Sequence, residues 1–477
     1  MDAGWFDHGS CALEALRRWL AARTEPLAPL TIRQIIMGPE ILDELPARAV
    51  EACADRPGPI LIMDRTPMCR DGATIKPKVL AALRERLGDV TPIELGEPDA
   101  PPHADLALAT DLAGRIEPGS LVVTFGSGTI TDLAKHAMYL IEQDGGAGFE
   151  HLCCPTACTV TAFTSSMAVL AVGGVKRTLP SRAPDVVLVD LTMIRDAPVE
   201  LTRAGFGDLM ARCTAYGDWY LGDVFGVDET FNTVPFDLLA QAEQGLLDHA
   251  AAIGRGELAG LRTLAETLML AGIGMSIVDQ TTPVSGWEHV LSHYLDLRAM
   301  AADRDTGLHG AQVGAAALIS ATAFETLLAA HDDVWRRPPS FQPDQARRRI
   351  HEHFGPFDTD GEMVAELWRD YAVKADRIVE ALARWSNVAD RWHSGDLPDQ
   401  LRRFVRPSAV VGDALRRAGA EADLVSASGT GDRDLARSAI LHGHRVRRRF
   451  TLGDVLELLG LLTPSVADRW LAIGRTP

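Results

Sequence analysis

The sequence predicts an N-terminal α/β domain built on a mostly parallel sheet, followed by an all-helical domain. Short, continuously apolar runs indicate buried strands at residues 59–63, 121–125, 167–172 and 185–190. Between the first two runs, apolar side chains recur at helical spacing over residues 78–87 and 104–116. Continuously apolar strands separated by helices are typical of a parallel sheet that is covered on both faces.

The second half of the chain has a different pattern. After about residue 198 the strand-like runs cease, and Ala- and Leu-rich stretches with a period of 3.6 residues follow. Helices are predicted at residues 236–252, 258–274, 310–330 and 361–385. We therefore expect a short helical extension (1–30), an α/β domain (31–197) and a helical domain (198–477).

Composition limits the classes of function. The chain has 477 residues with 47% hydrophobic and 23% charged residues, which is typical of a globular protein of two or three domains. No run of eighteen apolar residues occurs and the N-terminus has no secretion-signal pattern, so we expect no membrane partner. Seven cysteines without a CxxC pair indicate reduced thiols and a cytoplasmic protein.

The balance of charge argues against a nucleic-acid partner, because a net charge of -18 repels phosphate backbones. A small anionic substrate requires a local group of cations. Lysine is scarce, so Lys176 beside Arg177 is a candidate for such a group, although a solvated turn explains the pair equally well.

A glycine-containing turn follows the strand at 121–125. Gly126, Ser127, Gly128 and Thr129 lead directly into a predicted helix. Backbone N–H groups at such a turn can approach a phosphate closely, and the helix N-terminus adds a favourable dipole. The turn matches neither GxGxxG nor a Walker loop, and a tight turn that needs positive φ explains the glycines equally well.

One βα unit earlier, Asp64 ends the predicted strand at 59–63. An acidic side chain at the carboxyl end of a strand can bind the ribose hydroxyls of a dinucleotide. In the usual dinucleotide fingerprint this acid follows the glycine turn, whereas Asp64 precedes it, so the ordinary Rossmann pattern does not fit. The alternative role for Asp64 is a turn cap.

Asp208, His289 and His309 are candidate ligands of one divalent metal ion. Asp208 follows a glycine-kinked segment, His309 lies in a glycine-flanked break, and Ser285 with Glu288 matches a capping box that puts His289 in the first turn of a helix. We expect all three at helix starts, where they can converge. Two imidazoles and a carboxylate leave a coordination position open, which suits catalytic zinc, iron or nickel. The alternative is three structural side chains.

His293 is four residues after His289, so both side chains point to one helix face. It can serve as a metal ligand, a proton donor, a phosphate contact or an outer group. We favour a role toward the substrate.

Five motifs together resemble a known family. GSGTITDLAK, PTACTVTAFTSS, APVELTRAGFGDL, SGWEHVLSHY and LHGAQVG occur in this order between residues 126 and 314. The set resembles the glycerol-1-phosphate dehydrogenases, and among them the bacterial AraM-type branch. These enzymes are part of the superfamily of iron-containing alcohol dehydrogenases, glycerol dehydrogenases and dehydroquinate synthases. The resemblance extends from about residue 32 to residue 462.

The resemblance implies roles for individual residues. Gly126, Ser127, Gly128 and Thr129 would hold the pyrophosphate of NAD or NADP, and Asp64 would lie near the adenosine ribose. Asp132 would order the turn, and Thr156 and Ser165 would contact the cofactor on its nicotinamide side. Asp208, His289 and His309 would be the metal ligands, whereas dehydroquinate synthases supply glutamate where Asp208 stands.

Thr161 is a departure from the family, which usually has an aspartate at this position that binds a hydroxyl of the glycerol moiety. A threonine can form a hydrogen bond but carries no charge, so the substrate can differ from glycerol 1-phosphate. Thr161, Lys176 and His293 are the expected substrate-side residues.

The expected function is that of a metal-dependent, NAD(P)-linked dehydrogenase. Its substrate is a small ketone, with or without a phosphate group, or the corresponding alcohol. We expect the protein to form a homodimer or a higher homo-oligomer. Two alternatives stay open. One is a dehydroquinate-synthase-like cyclase that uses NAD transiently, and the other is a catalytically altered, non-enzymatic relative.

Overall fold

The computed structural model describes residues 5–7, 10–53, 56–70 and 72–474. Its twelve strands are β1 (Phe6–Asp7), β2 (Ser10–Cys11), β3 (Gln34–Gly38), β4 (Ile60–Asp64), β5 (Cys69–Arg70), β6 (Ala73–Thr74), β7 (Thr91–Leu95), β8 (Leu121–Gly126), β9 (Glu150–Pro155), β10 (Met167–Val172), β11 (Val175–Pro180) and β12 (Val186–Asp190). No later strand occurs among the described residues, as the sequence pattern predicts.

Eight of these strands form one sheet in the order β1-β2-β3-β12-β9-β8-β4-β7. The six strands from β3 to β7 in this order pair in parallel, and only the short β1 and β2 add in antiparallel fashion at the edge. Side chains alternate between two buried clusters, with Ile60 and Ile62 in one and Leu61 and Met63 in the other. The expectation of a parallel sheet covered on both faces is therefore confirmed.

One local prediction for this region is wrong. Residues 167–172 form a strand, but β10 pairs with β11 in a separate two-stranded sheet and is not part of the parallel sheet. The expected helical extension at residues 1–30 contains the helix Leu13–Ala21, which the short strands β1 and β2 precede, and residues 1–4, 8 and 9 lie outside the described part. The apolar pattern of a hairpin strand and of a core strand is the same, so periodicity cannot separate them.

The helices are α1 (Leu13–Ala21), α2 (Leu45–Cys53), α3 (Ile75–Leu87), α4 (Leu106–Ala113), α5 (Gly128–Gln143), α6 (Leu191–Asp196), α7 (Val199–Leu209), α8 (Ala215–Val224), α9 (Val234–Asp248), α10 (Ala250–Gly254), α11 (Leu258–Val278), α12 (Trp287–Met300), α13 (His309–Leu328), α14 (Pro343–Phe354), α15 (Glu362–Leu382), α16 (Trp385–His393), α17 (Asp396–Phe404), α18 (Ser408–Ala418), α19 (Leu424–Ala427), α20 (Arg433–His442), α21 (Leu452–Leu458) and α22 (Pro464–Ile473). Each predicted helix has a counterpart, and the all-helical second half is confirmed.

The chain divides into two compact units that are interleaved along the sequence. The N-terminal unit comprises Met1–Val172, Lys176–Gly205 and Val234–Gln280, and the C-terminal unit comprises Gly173–Val175, Phe206–Thr233 and Thr281–Pro477. Helices α9 to α11 thus belong to the same compact unit as the parallel sheet, although the sequence pattern groups them with the later helices. The expected division between a nucleotide-binding domain that ends at residue 197 and a metal-binding domain that begins at residue 198 stays a proposal.

Two helices, α11 and α13, are long and apolar enough to cross a membrane by length and composition alone. In each, 78% of the most apolar window is buried inside the structure. Buried apolar helices of this kind are typical of the core of a soluble protein.

Glycines bring α7 and α13 into direct contact within the C-terminal unit. A Cβ atom on Gly207 would overlap the carbonyl oxygen of Gly310, and a Cβ atom on Gly314 would lie 2.8 Å from the Cα atom of Gly207. None of these glycines has positive φ. They therefore serve the close approach of two helices, and not the kink and the chain break that the sequence pattern suggests.

We expect Gly207→Ala to lower the free energy of unfolding by about 1–3 kcal/mol, because the added methyl group forces α7 and α13 apart. Gly412→Ala in α18 is the matched control, since its Cβ atom would meet its nearest neighbour, Leu318 Cδ1, at 3.5 Å. That variant should be neutral or more stable by about 0.5–1 kcal/mol. Urea denaturation of both variants measures the difference, and equal effects would contradict the contact's role.

Candidate functional site

The three candidate metal ligands come together in the C-terminal unit. The Nε2 atom of His289 lies 3.4 Å from Oδ1 of Asp208, and the Nε2 atom of His309 lies 3.7 Å from the same oxygen. One potential ligand atom from each side chain lies within 4.8 Å of the other two. Asp208 and His289 are buried, whereas the His309 side chain is 24% exposed, so the group has one accessible side.

Three helix ends position these side chains. His289 lies in the first turn of α12 and His309 is the first residue of α13, as predicted. Asp208 is the last residue but one of α7, so the prediction that it begins a helix is wrong. The close approach of α7 and α13 at Gly207 and Gly310 brings the end of one helix to the start of the other.

The predicted capping box at Ser285 and Glu288 is also wrong. Gly286 is the N-cap of α12 and no side chain caps it in the usual way. Ser285 Oγ instead accepts a hydrogen bond from Arg449 Nη1 at 2.6 Å. Glu288 is fully buried and accepts hydrogen bonds from Gly286 N and, at 2.8 Å, from Thr214 Oγ1.

Each imidazole has an outer partner that the sequence analysis missed. His289 Nδ1 lies 3.1 Å from Glu288 Oε1, and His309 Nδ1 lies 2.9 Å from Ser292 Oγ. Ser292 Oγ in turn donates to Gln312 Oε1 at 2.7 Å. The spacing from His289 to Ser292 is a possible signal, because residues three apart share one helix face.

The neighbouring carboxylates also affect the protonation of His289. Burial acts to lower its pKa, but the negative charges of Asp208 and Glu288 and the hydrogen bond with Glu288 outweigh burial and raise the pKa to about 9. The pocket therefore stabilises positive charge at this position.

The donor set fits a divalent cation. Asp208 Oδ1 is buried and accepts no hydrogen bond of normal geometry from the described residues, although it faces both Nε2 atoms. A buried carboxylate oxygen left in this way is costly unless a cation or a proton lies beside it. One carboxylate oxygen and two imidazole nitrogens are ligands that zinc, iron and nickel accept.

His293 lies beside this group and is buried. Its ring centroid is 5.6 Å from that of His309, with the rings stacked, and 6.4 Å from that of His289. His293 is therefore adjacent to Asp208, His289 and His309, but it is not one of the three residues whose potential ligand atoms lie together.

The glycine turn lies in the N-terminal unit, between β8 and α5. Ser127 is the N-cap of α5 and forms no side-chain cap. Neither Gly126 nor Gly128 has positive φ, which excludes the tight-turn explanation. A Cβ atom on Gly126 would lie 2.7 Å from Ile130 Cγ1, and one on Gly128 would overlap Val160 Cγ2. Both glycines are therefore needed for packing around the start of the helix, whose first N–H groups can bind an anion.

Asp64 ends β4 and is buried. Its Oδ1 atom accepts a hydrogen bond from Thr66 N at 2.8 Å and pairs with Lys76 Nζ at 2.7 Å. Asp64 thus caps a turn, which is the alternative role that the sequence left open. Its Oδ1 atom is already engaged in these two contacts.

Asp132 and the fully buried Lys135 hold the segment that carries Thr161. Lys135 Nζ lies 2.8 Å from Asp132 and donates to the carbonyl oxygens of Ala162 and Ser165 at 2.8 and 3.1 Å. Asp132 Oδ2 also accepts from Val169 N at 3.1 Å. The sequence analysis missed Lys135, because a lysine on a helix is usually solvated.

The remaining candidates in this unit lie near that segment or on the hairpin. Thr156 N bonds to Gly126 O at 3.1 Å, and Ser165 Oγ accepts from Met167 N at 3.1 Å. Thr161 begins a short 3-10 helix and is partly exposed. Lys176 is a partly buried residue of strand β11, so the alternative of a solvated turn is wrong.

Comparisons with known proteins identify relatives of this chain. The family model described as iron-containing alcohol dehydrogenase matches residues 68–198. A glycerol-1-phosphate dehydrogenase [NAD(P)+] from Bacillus velezensis is 27% identical over 374 residues, which cover 76% of this chain and 90% of the relative. The enzyme of the same name from Bacillus licheniformis is 28% identical over 376 residues, covering 76% and 88%.

Solved structures share the fold. A probable glycerol dehydrogenase from Sinorhizobium meliloti has a TM-score of 0.57 at 15% identity, over 95% of this chain and 99% of that one. An iron-containing alcohol dehydrogenase from Thermococcus thioreducens has a TM-score of 0.56 at 17% identity, over 94% and 100%. The chain is thus similar in one segment of its sequence to iron-containing alcohol dehydrogenases, shares its fold with such enzymes, and is similar over most of its length to relatives named glycerol-1-phosphate dehydrogenase.

Proposed function

We propose that this chain is a metal-dependent, NAD(P)-linked dehydrogenase that interconverts a small phosphorylated ketone and its alcohol. The observation that carries the proposal is the group of Asp208, His289 and His309, whose nitrogen and oxygen atoms face one another. Relatives that align over most of their length are named glycerol-1-phosphate dehydrogenase [NAD(P)+], which supports both the cofactor and the class of substrate.

Asp208, His289 and His309 would hold one divalent cation, either zinc, iron or nickel. A cation bound there supplies Lewis acidity, which polarises a carbonyl group and stabilises negative charge that develops on its oxygen. His293, whose ring stacks on that of His309, would move a proton or bind the substrate's phosphate. Lys176 would pair with a phosphate group through a charge-assisted hydrogen bond.

The cofactor would bind the N-terminal unit. The turn Gly126 to Thr129 and the first N–H groups of α5 would receive the pyrophosphate, because an unpaired helix N-terminus favours an anion. Asp64 would bind the ribose through its second oxygen, while Thr156 and Ser165 would line the nicotinamide side. Asp132 would keep its indirect role, since it bonds Lys135 and the backbone of Val169 and not the turn itself.

Two further properties are part of the proposal. We place the enzyme in the cytoplasm, in keeping with seven cysteines that form no disulfide in the described part of the chain. We also propose a homodimer or a higher homo-oligomer.

Net oxidation of NAD(P)H with a ketone distinguishes this proposal from its alternatives. A cyclase that uses NAD transiently would turn over substrate without net oxidation, and a non-enzymatic relative would do neither. The chain has Asp208 where the resemblance implies glutamate for the dehydroquinate synthases, which favours the dehydrogenase.

We expect the purified wild-type chain to bind about one divalent ion and His289→Ala or His309→Ala to lose both the ion and the activity, because two remaining ligands do not define a site. Elemental analysis and NAD(P)H oxidation measure the two effects. Tyr294→Phe, on the same helix as His289, is the control and should keep its metal. Full metal occupancy in both histidine variants would rule out the assigned ligands.

We expect Thr129→Glu to weaken cofactor binding about tenfold or more, because the new charge repels the pyrophosphate by about 1–4 kcal/mol. The same glutamate lies in the first turn of α5, where it favours the helix, so the fold should persist. Thr129→Gln has the same size without the charge and should bind the cofactor nearly as the wild type does. Calorimetry with NADH and NADPH measures both, and equal affinities of the glutamate and glutamine variants would move the site elsewhere.

We expect the wild type to reduce dihydroxyacetone phosphate poorly and to prefer a ketone that lacks one hydroxyl group, because Thr161 replaces the usual carboxylate. A hydrogen bond to a charged group contributes about 1.5–3 kcal/mol, or roughly ten- to a hundredfold in kcat/KM. Thr161→Asp should therefore shift the preference back, and Thr161→Asn separates the charge from the shape. Efficient reduction by the wild type with no change in Thr161→Asp would refute the altered specificity.

A further inference from the structure

The outer contacts of the two imidazoles are hydrogen bonds with a defined direction. An ionised carboxylate only accepts hydrogen bonds, so the 3.1 Å contact between His289 Nδ1 and Glu288 Oε1 requires a proton on that nitrogen. For His309 the same conclusion follows from Ser292, whose hydroxyl proton is donated to Gln312 Oε1 at 2.7 Å. Ser292 Oγ must then accept from His309 Nδ1, 2.9 Å away.

Both imidazoles therefore carry a proton on Nδ1, and the lone pair of a neutral ring is on Nε2. The two Nε2 atoms are also the ones that face Asp208 Oδ1, at 3.4 and 3.7 Å. A histidine binds a metal through the nitrogen that has no proton, and its other nitrogen is fixed by a hydrogen bond. In both contacts the Nδ1 atom of the histidine is the donor, which leaves the Nε2 atom free of a proton in the neutral ring, as metal binding requires.

Glu288 is held rigidly for this purpose. It is fully buried, and it also accepts from Gly286 N and, at 2.8 Å, from Thr214 Oγ1. A Cβ atom on Gly286 would overlap Asp218 Oδ2 and lie 3.0 Å from Glu288 Oε2, so only glycine fits between the two carboxylates. The carboxylate cannot swing away from His289 without breaking these contacts.

The start of α12 is fixed as well. Asp218 accepts from Trp287 N at 2.7 Å and from Leu452 N at 2.5 Å. The partly buried Arg449 donates to Ser285 Oγ at 2.6 Å and interacts electrostatically with both Glu288 and Asp218. A buried carboxylate is tolerated only where such partners offset its desolvation.

We propose that Glu288 is a positioning residue that holds His289 in the Nδ1-protonated form, and that Ser292 with Gln312 does the same for His309. Glu288 makes the site tighter for a divalent cation without touching the cation, because it fixes the ring and increases the basicity of Nε2. This inference rests on the metal site of the proposed function.

Glu288→Gln tests the inference, because an amide of the same shape can present either its oxygen or its NH2 group to His289. We expect the dissociation constant for Zn²⁺ to rise about 10- to 100-fold, measured by competition with a chromogenic chelator. Ser292→Ala should weaken binding less, since it removes a neutral partner. Tyr294→Phe, on the same helix as Glu288, is the control, because it loses the partly buried hydrogen bonds of the Tyr294 hydroxyl with His353 and Arg298 and should stay within about twofold of wild type.

The outcomes separate the inference from the proposed function. A Glu288→Gln variant that binds Zn²⁺ within threefold of a metal-binding wild type overturns the inference and leaves the proposed function standing. A wild type that binds no divalent ion refutes both.

If Glu288→Gln does not fold, the tautomer of His289 in the wild-type protein tests the inference instead. Long-range ¹H–¹⁵N correlation spectra of the zinc-loaded, ¹⁵N-histidine-labelled protein report which ring nitrogen carries the proton. A proton on Nδ1 of His289 supports the inference, and a proton on Nε2 overturns it.

Discussion

The candidate metal site depends on one steric constraint, the contact of α7 with α13 at three glycines. Gly207 lies against the carbonyl group of Gly310 and the backbone of Gly314, with no room for a Cβ atom. This contact brings Asp208, at the end of one helix, within 3.7 Å of His309, at the start of the other. Because the helices touch through backbone atoms, long side chains cannot vary their separation, and the distance between the two side chains is fixed by the packing.

The electrostatics of the site follow from this arrangement. His289 and His309 lie at helix N-termini, where the backbone dipoles disfavour a cation. Two buried carboxylates, Asp208 and Glu288, offset that effect, and together they raise the pKa of His289 to about 9 against the opposing effect of burial. A site that stabilises a proton so strongly on an imidazole has the charge balance that a divalent cation also needs. Glu288, which contacts His289 on the side of the ring away from Asp208, is therefore as much a part of the site as Asp208.

Much of the fold could be predicted from the sequence, because buried parallel strands and amphipathic helices have different periods. That Asp208, His289 and His309 come together could also be predicted, since they are polar residues in apolar surroundings. Three features depend on three-dimensional packing and could not be predicted from the sequence. Strand β10 pairs outside the parallel sheet, and the glycines of α7 and α13 allow the two helices to touch. Glu288 contacts the imidazole of His289 and does not cap a helix. The spacing of Ser285 and Glu288 is the same whether Glu288 caps the helix or contacts His289. Only the hydrogen-bond partners seen in the structure distinguish the two roles. Lys135 was missed for a similar reason, because two of its three oxygen partners, Ala162 and Ser165, lie 27 and 30 positions away along the chain.

The central claim is that one divalent cation lies among Asp208 Oδ1 and the Nε2 atoms of His289 and His309. A crystal structure of the chain as purified with its native metal, with diffraction data collected above and below the absorption edges of zinc, iron and nickel, tests this claim most directly. The account predicts a single strong anomalous peak within bonding distance, about 2.0–2.2 Å, of these three atoms, with Nδ1 of His289 facing Glu288. An anomalous peak at other residues, or a fully occupied metal whose nearest protein atoms do not include both Nε2 nitrogens, would contradict it.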